Sequence, residues 1–258
     1  MKFSIITAVY NNKTHIEDCI KSVISQDYEN IEYIIIDGGS DDGTAEKIYN
    51  AKCRIENEMV EFKFISEKDN GIYEALNKGL RMTTGDVVGF LHSDDIFNNE
   101  NVISKIAKVF EDKNTDSVYS DLVYVYKNDT SSVLRYWKAG EFNYSFLKKG
   151  WMPPHPAFFV KKNIYDKYGG FDTSFKIASD YEIVLRFLAK HKISSAYLPE
   201  VTINMRTGGA SNKNIASVIQ KSREDYSALK INAIPFPLMA LVFKNTRKIK
   251  QFVLRNWN

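Results

Sequence analysis

Disulfide frameworks and cysteine-based metal sites are the first features that this sequence lacks. Its 258 residues include only two cysteines, Cys19 and Cys53, too few to cross-link a small secreted fold. Cys19 falls on the apolar side of an expected helix, which favours a buried thiol. The four histidines are scattered without the spacing of zinc ligands: His15, His92, His155 and His191. The low cysteine content favours a reducing, cytoplasmic setting.

Large excess charge and long apolar runs are also absent. The formal charge is only +3, and no lysine and arginine stripe alternates with aromatic residues as single-strand binding would require. No apolar stretch reaches the ~20 residues needed to cross a bilayer. The N-terminal apolar run meets Tyr10, Asn11 and Asn12 too early for a signal peptide. We therefore expect a cytoplasmic protein with no nucleic-acid partner.

Strands and helices alternate regularly in the first half of the chain, which is long enough for one large α/β domain. Apolar runs bounded by polar turns predict four strands: Phe3–Val9, Tyr33–Ile36, Phe62–Ile65 and Asp86–Leu91. Helical periodicity between them predicts helices near residues 16–24, from Thr44, and over Ile72–Arg81. Short loops between such elements are typical of a parallel sheet with helices on both faces.

The second half of the chain is less regular. Ser117–Tyr126 alternates like an exposed-edge or antiparallel strand, and Val133–Trp137 is placed to pair with it. Asp180–Ala189 returns to helical periodicity. Without internal repeats or flexible linkers, we interpret residues 1–211 as one α/β domain and residues 212–258 as a C-terminal helical appendage.

The C-terminal appendage combines apolar residues with positive charge. No acidic residue follows Asp225, whereas lysine and arginine continue on both sides of the apolar run Ile234–Phe243. Two interpretations stay open. The segment 232–258 is either an interfacial helix on an anionic membrane face, or a helix docked on the main domain with its basic side in water.

Polar and small residues follow each of the four predicted strands of the first half, and three of these loops carry carboxylates. Because the carboxyl ends of parallel strands share one edge of a sheet, these loops are expected to converge there. Asp94 and Asp95 are adjacent, and like charges that close raise a pKa unless a cation neutralises them. Hard carboxylate oxygens suit Mg²⁺ or Mn²⁺ with phosphate oxygens as further ligands. Capping of a helix near residues 100–110 is the alternative, although Asn98 and Asn99 lie nearer its start.

Several motifs occur together in one order along the chain. They are Ser4–Asn11, Asp37–Thr44, Asp69–Tyr73 with Asn77–Gly79, Ser93–Asp95, Gly169–Asp172 and Ser179–Glu182. In this order they resemble glycosyltransferase family 2 over roughly residues 3–211. The resemblance implies a Rossmann-like GT-A fold with a mixed, mainly parallel sheet flanked by helices. Residues 1–97 would then form the nucleotide-binding half and residues 98–211 the acceptor-binding half.

The resemblance also implies roles for individual residues. The nucleoside pocket would be lined by Thr7, Val9, Asn11 and Asp37. Asp94 would face the ribose or the metal, Asp95 would be the principal metal ligand, and Asp180 would be the general base. Many relatives carry a second, base-reading carboxylate where this chain has Gly38, so the base stays open, with Asp37 or Asp69 as replacements for that contact and uridine favoured.

The remaining candidate residues are assigned from their own chemistry. Lys68 and Arg206 are candidates for phosphate contacts, with a surface cation as the alternative. His155 follows two prolines and is a candidate for touching the diphosphate or the acceptor, with packing as the alternative. The segment Arg206–Ser211 is a candidate for a loop that closes over the donor.

The function implied by the resemblance is an inverting, metal-dependent transfer from a nucleotide diphosphate sugar, preferably a UDP-sugar, to a glycan or lipid-linked glycan. The cofactor would be Mn²⁺ or Mg²⁺, and the site of action the cytoplasm or the inner face of the plasma membrane. A nucleotidyltransferase is a competing interpretation, but residues 7–12 lack glycine. A nicotinamide enzyme would need G-x-G-x-x-G after the first strand. A nucleotide-sugar-binding protein without catalysis is the third alternative.

Overall fold

The computed structural model describes residues 1–54, 60–208 and 215–253. The strands are β1 (Phe3–Val9), β2 (Ile31–Asp37), β3 (Val60–Ser66), β4 (Val87–Phe90), β5 (Ile96–Phe97), β6 (Ser117–Tyr126), β7 (Asp129–Trp137), β8 (Phe158–Lys161) and β9 (Ser195–Arg206). The helices are α1 (Ile16–Ile24), α2 (Thr44–Cys53), α3 (Ile72–Met82), α4 (Val102–Lys113), α5 (Tyr144–Leu147), α6 (Lys162–Tyr168), α7 (Ser179–Leu185), α8 (Ile215–Ile231) and α9 (Pro237–Val253). One π-helical turn, Arg186–Lys190, continues α7.

The first half of the chain forms the parallel sheet that its sequence predicts. Strands β3, β2, β1 and β4 lie side by side in that order, and every neighbouring pair is parallel. Strands β1 and β2 are buried over their whole length, which explains why they read as continuous apolar runs rather than alternating ones. All four strands consequently end at the same edge of the sheet.

The second half extends this sheet with mixed pairing. The order continues from β4 through β8, β6 and β9 to β5, and β7 pairs with β6 off this path. Of the two interpretations of Ser117–Tyr126, the exposed-edge strand is wrong, whereas the antiparallel strand that pairs with Val133–Trp137 is confirmed. Strand β6 pairs antiparallel with β7 and β8 and parallel with β9, and its side chains are buried from Ser117 to Val123. Its polar residues Ser117, Ser120 and Asp121 are buried and form hydrogen bonds. In the sequence, they resemble the polar positions of a strand with one face in water.

Apolar side chains cover both faces of the sheet and form two hydrophobic clusters. One cluster contains α1 and α4 against β1 and β2, and the other contains α3 and α7. Cys19 lies fully buried in the first cluster, and this burial raises the pKa of its thiol to about 12. The prediction of a buried thiol is therefore confirmed.

The C-terminal helices α8 and α9 pack into the same core as α7. Ala228, Leu229 and Ala240 belong to the cluster that includes Tyr181. Gly150 allows a very close approach, because a side chain there would lie 2.4 Å from the carbonyl oxygen of Ala240. The domain boundary at residue 211 stays a prediction, and residues 209–211 and 254–258 lie outside the described residues. Within the described chain, no helix is long and apolar enough to cross a membrane.

A buried charge cluster fastens α9 to the rest of the molecule. The Lys244 ammonium lies 2.7 Å from the Asp225 carboxylate and 3.3 Å from the centre of the Tyr181 ring. Lys221 reaches the same carboxylate at 3.1 Å. Burial lowers the pKa of Lys244 to about 7, whereas the two ammonium groups hold the pKa of Asp225 below its ordinary value. The helix is thus docked with a lysine inward, which differs from a docked helix whose basic side faces water.

Asp225→Asn is expected to destabilise the protein by about 3 kcal/mol in urea unfolding, because it leaves a buried ammonium without its counter-charge. The folded pKa of Lys244 would then fall further below the unfolded value. Because the folded pKa of Lys244 is already about 7, the stability of the wild type and of the variant should both rise from pH 7 towards 10, and in the variant this rise should begin at a lower pH than in the wild type.

The exposed pair of Lys162 with Asp166 offers a matched control for this variant. Asp166 is 60% exposed, and Asp166→Asn should change stability by less than about 1 kcal/mol and leave the pH dependence of the wild type unchanged. Equal effects of the two substitutions would contradict the fastening role of Asp225.

Candidate active site

The loops after β1, β2 and β3 meet because their strands end in register. Val9 lies beside Asp37, and Asp37 lies beside Ser66. The Gly38 N–H donates to the Val9 carbonyl at 2.9 Å, and the Glu67 N–H donates to the Asp37 carbonyl at 2.9 Å. Strand β4 ends next to β1, which brings the His92–Asp95 turn to the same edge. The predicted convergence of the four loops is present.

Asp37 organises the second of these loops. Its side chain is fully buried and accepts hydrogen bonds from the Ser40 N–H at 3.0 Å, the Ser40 hydroxyl at 2.5 Å and the Ser66 hydroxyl at 2.6 Å. Both carboxylate oxygens are therefore engaged by the protein. Asp37 thus joins the ends of β2 and β3 and fixes the shape of the loop that follows β2.

Gly38 and Asp69 occupy one small space at this edge. A side chain on Gly38 would place its first carbon 2.7 Å from Oδ2 of Asp69. The Asp69 carboxylate is anchored by the Gly71 N–H, which donates to Oδ1 at 2.9 Å. Asp69 thus fills the volume that a side chain at position 38 would need. Lys68, its neighbour, is exposed and lies against Gly39.

The residues of the first loop divide into core and surface. Thr7 is fully buried and donates from its hydroxyl to the Leu91 carbonyl at 2.8 Å, so its side chain supports the sheet. Val9 is also buried. Asn11 is exposed with φ of 49°, a left-handed conformation that asparagine tolerates. Its side chain exchanges two hydrogen bonds with Asp41, at 2.9 and 3.0 Å. Of Thr7, Val9 and Asn11, only Asn11 has a polar side chain that is exposed at this edge of the sheet.

Asp95 combines full burial with an unsatisfied carboxylate oxygen. Its Oδ1 accepts from the Arg206 N–H at 3.0 Å, whereas its Oδ2 has no hydrogen-bond partner among the described residues. Burial, helped by the neighbouring Asp94 carboxylate, raises the pKa of Asp95 well above its ordinary range. A buried carboxylate in this state is destabilising unless a cation or a proton joins it.

The residues at this turn fit a divalent cation. Asp95 Oδ2 is a hard oxygen without a protein partner, and Asp94 is half-buried beside it. No cluster of three or more histidine, cysteine or carboxylate side chains able to hold a metal occurs in the described parts of the chain. Two carboxylates therefore leave most ligand positions to waters and to phosphate oxygens, which is the arrangement that Mg²⁺ usually adopts.

Arg206 is not an exposed cation, and its assignment to a phosphate contact stays a prediction. Its guanidinium is buried, donates to the Asp94 carbonyl at 2.7 Å, and forms an ion pair with Asp18 of α1 at 2.7 Å. Together with the N–H that reaches Asp95, these contacts clamp the acidic turn between α1 and β9. In this arrangement Arg206 positions the turn.

Asp180 stands at the first turn of α7, facing the loop that opens α3. Its Oδ1 accepts from the Tyr181 N–H at 2.8 Å, and the Tyr73 hydroxyl lies 3.5 Å away while donating to the Ile177 carbonyl. The two motifs are joined further by Asn77, which exchanges two hydrogen bonds of 2.8 Å with the backbone of Phe171. Hydrogen bonds therefore connect the segments around Asp69–Tyr73 and Asp180.

Aromatic side chains connect Asp180 to the acidic turn. His155 stacks on Phe90 with ring centres 5.6 Å apart, and its ring lies 6.3 Å from that of His92. Burial lowers the pKa of His155 to about 4 against the opposing effect of Asp180, so the ring is neutral. Neither of its ring nitrogens has a hydrogen-bond partner in the described structure. His155 packs as a core ring while keeping one N–H donor and one acceptor unused.

Three residues that sequence reasoning missed belong to this site. Tyr124 feels both carboxylates, because Asp95 and Asp180 each contribute to raising its hydroxyl pKa after the larger effect of burial. The Arg135 guanidinium lies 3.7 Å above the Tyr124 ring. Glu224 of α8 accepts the N–H groups of residues 176–178 at 2.8–3.1 Å, directly before α7. No local motif marks them, because Arg135 faces Tyr124 across the β6–β7 pair and Glu224 lies 46–48 positions from the N–H groups that it accepts.

Comparison with known proteins agrees with this geometry. The family model for Glycosyl transferase family 2 matches residues 4–175. A glycosyltransferase of Mycobacterium tuberculosis with no assigned substrate is 33% identical over 187 residues, which cover 71% of this chain and 67% of that protein. A PGL/p-HBAD biosynthesis glycosyltransferase of Mycobacterium bovis is 23% identical over 212 residues, covering 81% and 79%. The chain belongs to glycosyl transferase family 2.

Solved structures with the same fold include two nucleotide-sugar complexes. TarS 1–349 of S. aureus with UDP-GlcNAc superposes with a TM-score of 0.68 at 16% identity, covering 99% of this chain and 72% of that one. The mannosyltransferase PcManGT of Pyrobaculum calidifontis, with GDP-Man and Mn²⁺, gives 0.67 at 18% identity, covering 98% and 73%. These likenesses confirm the predicted α/β fold of the GT-A type.

Proposed function

We propose that this glycosyltransferase moves a hexosyl or N-acetylhexosaminyl group from a nucleoside diphosphate sugar to a hydroxyl of a glycan or lipid-linked glycan, with inversion. The observation that carries the proposal is the unpartnered, buried Oδ2 of Asp95, at an edge where four loops and Asp180 converge. The donors bound by TarS and PcManGT support a nucleotide sugar as the ligand class. The named relative from Mycobacterium bovis supports a role in glycan or glycolipid biosynthesis.

The donor would lie across the edge of the sheet. Asn11 and the Asp37–Ser40 loop would line the nucleoside, while Asp94 and Asp95 would hold Mn²⁺ or Mg²⁺ against the diphosphate. When bound there, the cation neutralises charge on the departing diphosphate. Lys68 is exposed at the same edge and is available to an outer phosphate oxygen. His155 offers its unused ring N–H to the diphosphate or the acceptor.

Asp180 would act as the general base. The acceptor oxygen attacks the anomeric carbon, its proton passes to the carboxylate, and the bond from that carbon to the diphosphate oxygen breaks with the electron pair leaving on the diphosphate. Both described hydrogen bonds of Asp180 fall on Oδ1, which leaves Oδ2 for the incoming proton. Tyr73 and Glu224 hold the segment around this residue, and this positioning contributes through orientation.

Asp69 is the proposed replacement for the missing base-reading carboxylate. Its Oδ2 already occupies the space beside Gly38, and uracil presents an imide N–H that a carboxylate accepts well. This contact is compatible with uridine, the favoured nucleoside, and with UDP-sugars as donors.

A panel of UDP-Glc, UDP-GlcNAc and GDP-Man, each with Mn²⁺, tests the proposal. One UDP-sugar at about a hundred times its Kd should add about 2.7 kcal/mol and raise the Tm by several degrees. The same donor should be hydrolysed slowly to the nucleoside diphosphate. Binding without hydrolysis in the presence of candidate acceptors would favour the non-catalytic alternative, and no shift with any donor would contradict the proposal.

The same panel, repeated with Asp69→Ala, tests the base assignment. Loss of the preference between UDP- and GDP-sugars is expected, with metal-dependent binding of the diphosphate retained. An unchanged preference would exclude Asp69 as the residue that reads the base.

A further inference from the structure

Helix α9 exposes its apolar side chains and buries a lysine, the reverse of what water favours. Phe236 before the helix is 73% exposed, and Leu238 and Val242 on it are 66% and 58% exposed. Met239 and Phe243 are exposed beside them. The opposite face carries Ala240 and Lys244, which are buried against the core. Large apolar side chains gathered on one exposed face are unusual for a surface that meets only water.

This orientation is fixed by contacts on the inner face. Lys244 reaches Asp225 and the Tyr181 ring, and Gly150 touches the backbone of α9 at Ala240. Rotating α9 to bury Leu238 and Val242 would pull the Lys244 ammonium from its only short carboxylate contact in the described structure. The apolar face is therefore held outward by the fold itself.

A second segment extends the exposed face. Gly150 lies shortly after α5, and its close approach to α9 places the end of α5 beside that helix. The exposed side chains in this segment are those of Tyr144, Phe146, Lys148 and Lys149. We call this combined area the α5–α9 face. Aromatic residues and long basic side chains are those that settle at the boundary between hydrocarbon and headgroups.

The charge of the α5–α9 face has one sign. No acidic residue occurs between Phe142 and Tyr165, and none follows Asp225 to the end of the chain. Lys148, Lys149 and Arg247 are exposed. A second copy seated symmetrically on this face would bring two basic surfaces together, since a two-fold interface pairs each patch with itself. An anionic surface is complementary instead.

We propose that the α5–α9 face docks on an anionic lipid bilayer, with the apolar side chains of α9 entering the interface and the lysines meeting the headgroups. This inference does not depend on the donor reaction. It needs no membrane-crossing helix, since amphipathic helices bind in the plane of the interface. The exposed aromatic and aliphatic side chains supply the apolar area, and the positive charges supply the lipid preference.

Co-sedimentation of the full chain with vesicles tests the docking. Vesicles of phosphatidylcholine mixed with phosphatidylglycerol should bind the protein, and vesicles of phosphatidylcholine alone should bind it at least about tenfold more weakly. Phe236→Ser combined with Leu238→Ser should weaken binding to the anionic vesicles at least about tenfold, because it removes two large side chains from the interface. Tyr49→Ser, at an exposed position of α2, is the matched apolar control and should bind like the wild type.

A charge reversal forms the second arm. Lys148→Glu combined with Lys149→Glu should abolish the preference for anionic vesicles, whereas Lys108→Glu combined with Lys113→Glu, on α4, should not. Unchanged midpoints of thermal unfolding, measured without ligand, would establish that each variant is folded. Failure of the wild type to bind anionic vesicles would overturn the proposal. So would sedimentation equilibrium showing a wild-type dimer that Phe236→Ser with Leu238→Ser converts to monomer, because a second copy would then cover the face.

Discussion

Asp180→Asn is expected to slow release of the nucleoside diphosphate by about 10²–10⁴-fold while donor affinity stays within about twofold. The amide keeps the hydrogen bond from the Tyr181 N–H to Oδ1 but cannot take a proton from the acceptor. Donor hydrolysis followed by chromatography, with water as acceptor, gives the rate. Isothermal titration of the donor with Mn²⁺ gives the affinity.

The comparison residue for this experiment is Asp172, which lies before the same helix. Asp172 is exposed and its Oδ1 accepts from the Ser174 N–H, so Asp172→Asn removes a nearby charge without touching the proposed proton path. It should retain activity within a few-fold of the wild type. A loss of similar size in both variants, or a parallel loss of donor affinity in Asp180→Asn, would show that Asp180 is not the base.

Asp95→Asn is expected to separate stability from function. Metal-dependent donor hydrolysis should fall by about 10²–10³-fold, because the charge that faces the cation is gone. The ligand-free variant should be no less stable than the wild type at pH 7, because the buried carboxylate that it removes is itself unfavourable. Urea unfolding without ligand, together with thermal shifts in Mn²⁺ plus nucleoside diphosphate, measures the two effects.

The expected direction of the stability change in Asp95→Asn follows from the raised pKa of Asp95. Between the unfolded pKa of about 4 and the higher folded value, the folded chain binds more protons than the unfolded chain, so this group lowers stability as pH rises. Asn at position 95 removes that slope. Asp94→Asn is the matched control, since Asp94 is half-buried and should affect both quantities less. A strongly destabilised, ligand-free Asp95→Asn would mean that the carboxylate is structural.

The first half of the fold could be predicted because its signals are local. Strand β2 is a continuous apolar run, and α1 shows its buried stripe through Ile16, Cys19 and Ile20. Short loops between such elements leave little choice of topology. The convergence of the four loops, three of which carry carboxylates, then follows from the common direction of the strands.

Prediction failed where a side chain is satisfied by a distant partner. Ser120 and Asp121 on β6 imitate solvent-facing residues, yet Ser120 bonds Thr202 and Asp121 receives the hydroxyls of Tyr136 and Tyr197. Glu224, which holds the segment before Asp180, could not be predicted for the same reason, because the N–H groups that it accepts are distant in sequence. A sequence shows which groups can form hydrogen bonds, but the fold decides which groups meet.

The site residues show the same division. The acidic turn was identifiable from its position after β4, because two adjacent carboxylates repel each other unless a cation neutralises them, and the family resemblance singled out Asp95 within the turn. Arg206 was not, since its choice between phosphate, solvent and Asp18 depends on how β9 passes the acidic turn. Likewise, only coordinates reveal that Asp69 fills the space beside Gly38.

The hydrogen bond from the Arg206 N–H to Asp95 spans 111 positions in the sequence. Chain segments that distant meet late, because closing a long loop costs entropy before any contact repays it. As the chain leaves the ribosome, the strands of the parallel half can pair before β9 has been synthesised. The acidic turn then lacks the contacts with Arg206 that hold it in place. The proposed affinity for a cation would consequently be acquired near the end of folding, after the sheet that carries the turn already exists.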